Sequence, residues 1–216
     1  MSFLSNVLCS ISIIIAAAIG AWRFGDIHPS FRPFIYCVWL ALINESLSIG
    51  LIVSGHSNIL NSNVYILLEA GLIVWQFYNW GILRTHKILF PGLLALLAAG
   101  WLIENFMIAH ITQFSSWFRI FYSFIIVLLS INLLNQHIVV EKEMLLKNPV
   151  ALICLAFIIY YTYKVLVETF WVYGLNESPN FQSKVYFILN YVNLFANLIY
   201  ALAVLWMPTK HRFTLS

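Results

Sequence analysis

The chain has 216 residues, 62% hydrophobic and 9% charged, with a formal net charge of +3 and a mean hydropathy of +0.89. A soluble domain carries about 25% charged residues, so these values exclude an ordinary soluble fold and describe a polytopic membrane protein. No basic stripe is present, which excludes nucleic acid as a partner.

At about 20 residues per crossing, the length accommodates seven spans with short loops and no soluble domain. The apolar runs predict an all-α, single seven-helix domain over 1–216, with helices at about 3–22, 32–54, 62–83, 88–109, 115–134, 149–173 and 182–206. The first run, Phe3 to Trp22, has no positive residue ahead of it and Arg23 behind it. That order is the reverse of a secretory signal, so it predicts a transmembrane helix with its N-terminus outside. Gly25-Asp26 and His28-Pro29-Ser30 join it to the second helix. Gly55-His56-Ser57-Asn58 and Asn61-Ser62-Asn63 precede the third, Pro91-Gly92 opens the fourth, and Asn176-Glu177-Ser178-Pro179-Asn180 precedes the seventh. The 135–148 link carries Glu141, Lys142, Glu143 and Lys147, and its Val139–Leu146 part suits a short surface helix. Cys9, Cys37 and Cys154 fall within apolar runs and read as small core residues, not as a disulfide framework.

The placement of the 11 Lys and Arg residues sets an orientation. Arg23, Arg32, Arg84, Lys87, Lys142, Lys147, Lys210 and Arg212 fall on the first, third and fifth connections and the tail, only Arg119 and Lys184 fall near the others, and Lys164 lies inside a span. By the positive-inside rule this places the N-terminus outside and the C-terminus in the cytoplasm, as expected of a multi-pass protein of the bacterial inner membrane.

The same orientation gives depths to the ionisable residues inside the spans. Tyr160, Lys164 and Glu168 are spaced by four within the sixth helix, with Trp171 three further on, so Lys164 and Glu168 read as a pair on one face. Each such charge costs roughly 2.5–3.5 kcal/mol at mid-membrane, which marks it as functional or as paired in the bundle. Glu45, Glu69, Glu104, Arg119, Lys164 and Glu168 all fall in the outer half. Glu104 and Arg119 read equally as snorkelling end residues. Glu45, Glu69, Lys164 and Glu168 are deeper and predict one outward-facing site. In the seventh helix Tyr186, Asn190, Asn193, Asn197 and Tyr200 form a narrow polar stripe that must face the bundle; interhelical hydrogen bonding and a ligand path explain it equally. Tyr65, Glu69, Leu72, Gln76 and Asn79 form the matching stripe of the third, with Asn44 and Ser48 nearby.

Val64-Tyr65-Ile66-Leu67-Leu68-Glu69 matches Val185-Tyr186-Phe187-Ile188-Leu189-Asn190, with Gln76 opposite Asn197 and Glu45 opposite Glu168. A parallel repeat over 3–83 and 115–206, with 88–109 as an inverting linker helix, follows from that match. This plan resembles the 3+1+3 carriers of the SWEET and PnuC type, although the proline-glutamine pair of the PQ-loop carriers is absent. Microbial rhodopsins share the helix count, but Asn193 stands where their retinal lysine belongs. The whole-chain pattern most resembles small orphan seven-helix membrane proteins of bacteria and the seven-helix input domains of some sensor kinases.

No G-x-S-x-G, H-E-x-x-H or Gly-rich phosphate loop is present, so no catalytic residue, metal site or cofactor is expected. The expectation is a sensor or receptor subunit that binds a small polar or cationic ligand from the outer side and signals to a cytoplasmic partner. Its ligand-binding residues are Glu45, Glu69, Arg119, Lys164, Glu168, Tyr65, Tyr161, Trp171, Asn190 and Asn193, with membrane lipid around the bundle. The alternative is a small-solute transporter, with protonation of Glu45, Glu69 or Glu168 coupling it to protons.

Overall fold

The structure, a computed structural model, describes residues 3–84, 88–108, 110–137, 147–173 and 179–209. Among them every extended element is helical: α1 (Phe3–Ile11), α2 (Ile13–Arg23), α3 (Arg32–Val53), α4 (Ile59–Asn79), α5 (Leu89–Ile103), α6 (Ser116–Gln136), α7 (Pro149–Val172) and α8 (Pro179–Trp206). A single bridge joins Ile27 to Thr209. The first two segments make one rod interrupted at Ser12, whose hydroxyl donates to Cys9 O at 2.6 Å and accepts from Asn197 at 2.9 Å. A serine that bonds back to its own helix competes with the backbone ladder and marks such breaks.

Seven rods result, as the apolar runs predict, and six are long and apolar enough to cross a membrane. The remaining rod is α4, diluted by Asn61, Asn63, Glu69 and Gln76. Three of these are buried: Asn63 and Gln76 fully, Glu69 to within 5%. Its polarity therefore faces protein. Each rod packs on the next in the chain, α2 closes the ring against α8, and α4 also touches α6. Large apolar side chains such as Trp22, Val53, Ile88 and Met107 cover the outside. The cysteines are free and buried. The Val139–Leu146 surface helix lies outside the described residues, as do Lys87, Lys142, Lys210 and Arg212 of the charge tally.

Local chemistry sets the ends. At Gly55, with φ +75°, His56 N donates to Leu51 O and Gly55 N to Ile52 O, the paired bonds of a Schellman stop. Gly81, at φ +95°, ends α4 at Asn79, short of the expected 83. Asn148 caps α7 by accepting from Val150 and Ala151 N. Arg23 donates to Val204 O and Leu205 O at 2.5 Å and to Met207 O at 2.9 Å. It satisfies the last carbonyls of α8 and complements the negative end of that helix.

Candidate functional site

Near the end of the bundle that holds residues 54–58 and 110–115, four helices (α3, α4, α6 and α7) turn charged side chains inward. Glu69 of α4 is the centre. Its Oε1 accepts from Tyr65 OH at 2.6 Å and its Oε2 from Tyr122 OH at 2.7 Å, and Lys164 Nζ stands 3.6 Å from Oε2. Lys164 also donates to the Tyr122 hydroxyl, so the three groups form a chain from ammonium through phenol to carboxylate. The rings of Tyr122, Tyr160 and Tyr161 lie 5.0, 5.5 and 5.4 Å from the ammonium, within the range of cation–π attraction. A buried charge in this setting is tolerable because it is both paired and hydrogen-bonded.

Lys164 and Glu168 are not partners, contrary to what their spacing predicts. Glu168 pairs across to α6, with its Oε1 3.8 Å from Arg119 Nε. Side chains one helical turn apart do share a face, but each takes an opposite charge that a neighbouring helix presents directly. Arg119 also donates to Ser62 Oγ at 2.8 Å and lies 5.4 Å from the Phe114 ring centre. Glu104, which reads from the sequence equally as a site residue or a snorkelling end residue, instead caps a helix. Its carboxylate accepts from Trp117 N at 3.0 Å and Phe118 N at 2.5 Å, capping α6 from the preceding helix. The wide π turn over Glu104–Ile108 accompanies this placement.

Two adjoining cavities occupy the interior. The one nearer this end, of about 210 Å³, is lined by Glu45, Arg119, Lys164, Glu168 and Trp171. The deeper one, of about 70 Å³, is lined by Glu69, Tyr161, Asn193, Asn197 and Tyr200. Glu45, Tyr65 and Tyr160 line both. Nine of the ten expected site residues therefore line these two adjoining cavities. Asn190 is the exception: it donates to Asn6 at 3.0 Å and lines neither cavity. The Tyr186 side chain lies outside the described ones. The two polar stripes do meet, Glu69 and Tyr65 of α4 facing the same deep cavity as Asn193 and Asn197 of α8. Glu45, with the Ser10 hydroxyl beside it, carries no ion pair among the described residues. Among those residues, no three of His, Cys, Asp and Glu come together as metal ligands.

Below the deep cavity an aromatic layer closes the bundle. Phe34 meets Tyr200 edge-on at 5.3 Å and Phe157 at 6.1 Å, and Phe157 meets Phe77 and Tyr200 at 6.1 and 5.9 Å. Gln76 fixes this layer, accepting from Phe34 N at 2.8 Å and donating to Ser30 O at 2.6 Å. On the far side a cleft of about 860 Å³ holds Arg23, Lys147 and Trp206.

Sequence reasoning passed over Tyr122, Ser62 and Ser116. A signal existed for the α6 residues: Ser116, Arg119, Ser123 and Ser130 follow helical spacing and are all buried. Neither a family model, a curated protein nor a solved structure matches the chain.

Proposed function

We propose that the chain is a membrane receptor subunit that takes a small polar or cationic ligand from outside and reports its occupancy to a cytoplasmic partner. The observation that carries this reading is the charge balance around the joined cavities. Glu69 is matched by Lys164 and Glu168 by Arg119, while Glu45 faces the same space with no ion pair of its own among the described residues. One excess carboxylate, walled by Tyr65 and Tyr160, favours a ligand that brings a positive charge. A space below the usual 300–1,000 Å³ of drug-sized sites selects a ligand of few atoms. The outward orientation follows from the Lys and Arg distribution, and the aromatic layer opposes passage through the bundle. A multi-pass site in the bacterial inner membrane accords with both.

Transport is the second reading. The cleft at the opposite end, separated from the deep cavity by that one aromatic layer, suits a carrier of the 3+1+3 plan that exposes its site alternately. One experiment separates the two. Spin labels at Lys147 and Thr209 report the cytoplasmic end in lipid nanodiscs, with choline and ethanolamine as cationic probes. The same probes are offered to protein-containing liposomes. The receptor reading expects a shifted label distance and no solute flux. Protein-dependent flux that Glu45→Gln abolishes refutes it in favour of the carrier.

A further inference from the structure

We infer that the ligand is a small zwitterion, of the amino-acid or betaine class, whose cationic pole lies at Glu45 and whose carboxylate lies at Arg119 and Ser116. The inference rests on the reading of the joined cavities as a ligand site, and it deepens that reading by adding a second pole.

The second pole comes from donors that the protein leaves open. Arg119 is 8% exposed and Ser116 5%, and both line the larger cavity. The Ser116 hydroxyl and Arg119 Nε are nevertheless buried without a hydrogen-bond partner among the described residues. Glu168 stands 3.8 Å from that Nε, close enough for charge attraction and beyond hydrogen-bond length. Buried polar groups are almost always hydrogen-bonded, so two orphans in one wall point to an acceptor that the cavity is built to receive. A guanidinium presents parallel N–H groups that fit a planar carboxylate, and charge-assisted bonds of this kind are the strong ones. Lys164 does not compete for it, being engaged by Glu69 and Tyr122.

The opposite wall has the opposite character. Glu45 has no ion-pair partner among the described residues, and Tyr65 and Tyr160 line both cavities beside it. A free anion would satisfy the orphaned donors and leave Glu45 without a counter-charge. A simple cation would suit Glu45 and leave those donors open. A zwitterion answers both walls. The volume, about 210 Å³, far exceeds the roughly 10–15 Å³ that one water needs on the same measure.

The test uses two matched pairs on the full chain in nanodiscs: glycine with ethanolamine, and glycine betaine with choline. Each pair keeps the cationic group and exchanges a carboxylate for a hydroxymethyl group. Affinity is read from the shift in thermal unfolding across a millimolar titration. In at least one pair the zwitterion should bind about tenfold tighter or more, the equivalent of one charged hydrogen bond. Arg119→Gln and Ser116→Ala should pull that ratio toward one while sparing the cation, and Glu45→Gln should weaken both members. Should Arg119→Gln fail to fold, Ser116→Ala carries the same comparison. A cation that equals its zwitterion in both pairs overturns the second pole and leaves the cationic site standing. Absence of binding by all four probes overturns the site itself.

Discussion

Replacing Lys164 with methionine, which keeps the apolar stem and removes the charge, isolates the pair at the centre of the bundle. At 3.6 Å and an effective dielectric near 20, the gross attraction to Glu69 is about 4–5 kcal/mol. Most of that is offset in the native protein by the cost of taking both ions out of water, so the pair adds little net stability. Removing one partner is different, because Glu69 then remains buried without its counter-charge. Lys164→Met should therefore cost about 3–5 kcal/mol. Glu69→Gln should cost less, since the amide oxygen still accepts from a tyrosine and the ammonium keeps Tyr122 and three aromatic faces. The double variant should be more stable than Lys164→Met alone, a coupling on the order of 2–3 kcal/mol. Equilibrium unfolding in mixed detergent micelles measures all four proteins. The control is Lys164→Met with Glu168→Gln, which should couple much more weakly because Glu168 pairs with Arg119. Additivity in the first cycle combined with strong coupling in the second would refute the assignment and restore Glu168 as the lysine's partner.

Glu104→Ala removes the acceptor for one buried and one part-buried N–H group at the start of α6 and should destabilise by about 2–3 kcal/mol, with Glu104→Gln losing roughly half as much, read by the same unfolding assay. Asn63 donates to Ile111 and Gln113 O at 3.0 and 2.7 Å and its own carbonyl accepts from Trp101; Asn63→Ala should release the 110–115 segment, seen as faster hydrogen exchange there with α7 unchanged. Gly55→Ala meets open space but must hold φ +75°, so it should cost about 1 kcal/mol, and Gly55→Asn should cost less.

What could be read from the sequence followed from periodicity and desolvation cost. Apolar runs between turn signals place the seven rods, six of them apolar enough to face lipid over their full length and α4 diluted by polar residues that it buries. The depth of Glu45, Glu69, Lys164 and Glu168 follows from counting residues along those rods. Their partners do not. Which acid meets Lys164 depends on the rotation of α4 against α7, a tertiary quantity that the spacing within α7 does not carry. The same reason hid Glu104, whose partners are backbone N–H groups 13 and 14 residues ahead of it, and Arg23, whose partners lie at the far end of the chain. Gly81 was legible in principle: an isolated glycine after Asn79-Trp80 is a stop signal, and the apolar Ile82-Leu83 beyond it masked the stop.

The pairing pattern also says which motions a ligand is able to drive. Helix α7 is tied to α4 by Lys164–Glu69 and to α6 by Glu168–Arg119. Helix α3, which carries Glu45, is tied to α4 by Asn61 donating to Asn44 and Ser48 and by the Gln76–Phe34 bond. No ion pair among the described residues joins α3 to α6. A zwitterion held between Glu45 and Arg119 would supply that missing link across the bundle. Such a ligand binds more tightly when the two helices stand at the right separation, and only a difference in affinity between packings shifts an equilibrium. A simple cation at Glu45 would touch one side alone and have little leverage on α6. Occupancy by the two-poled ligand would therefore move α6, whose far end at Gln136 leads into the segment before Lys147. In the labelled protein, a zwitterion that shifts the Lys147 to Thr209 distance further than its matched cation does is the outcome this coupling demands.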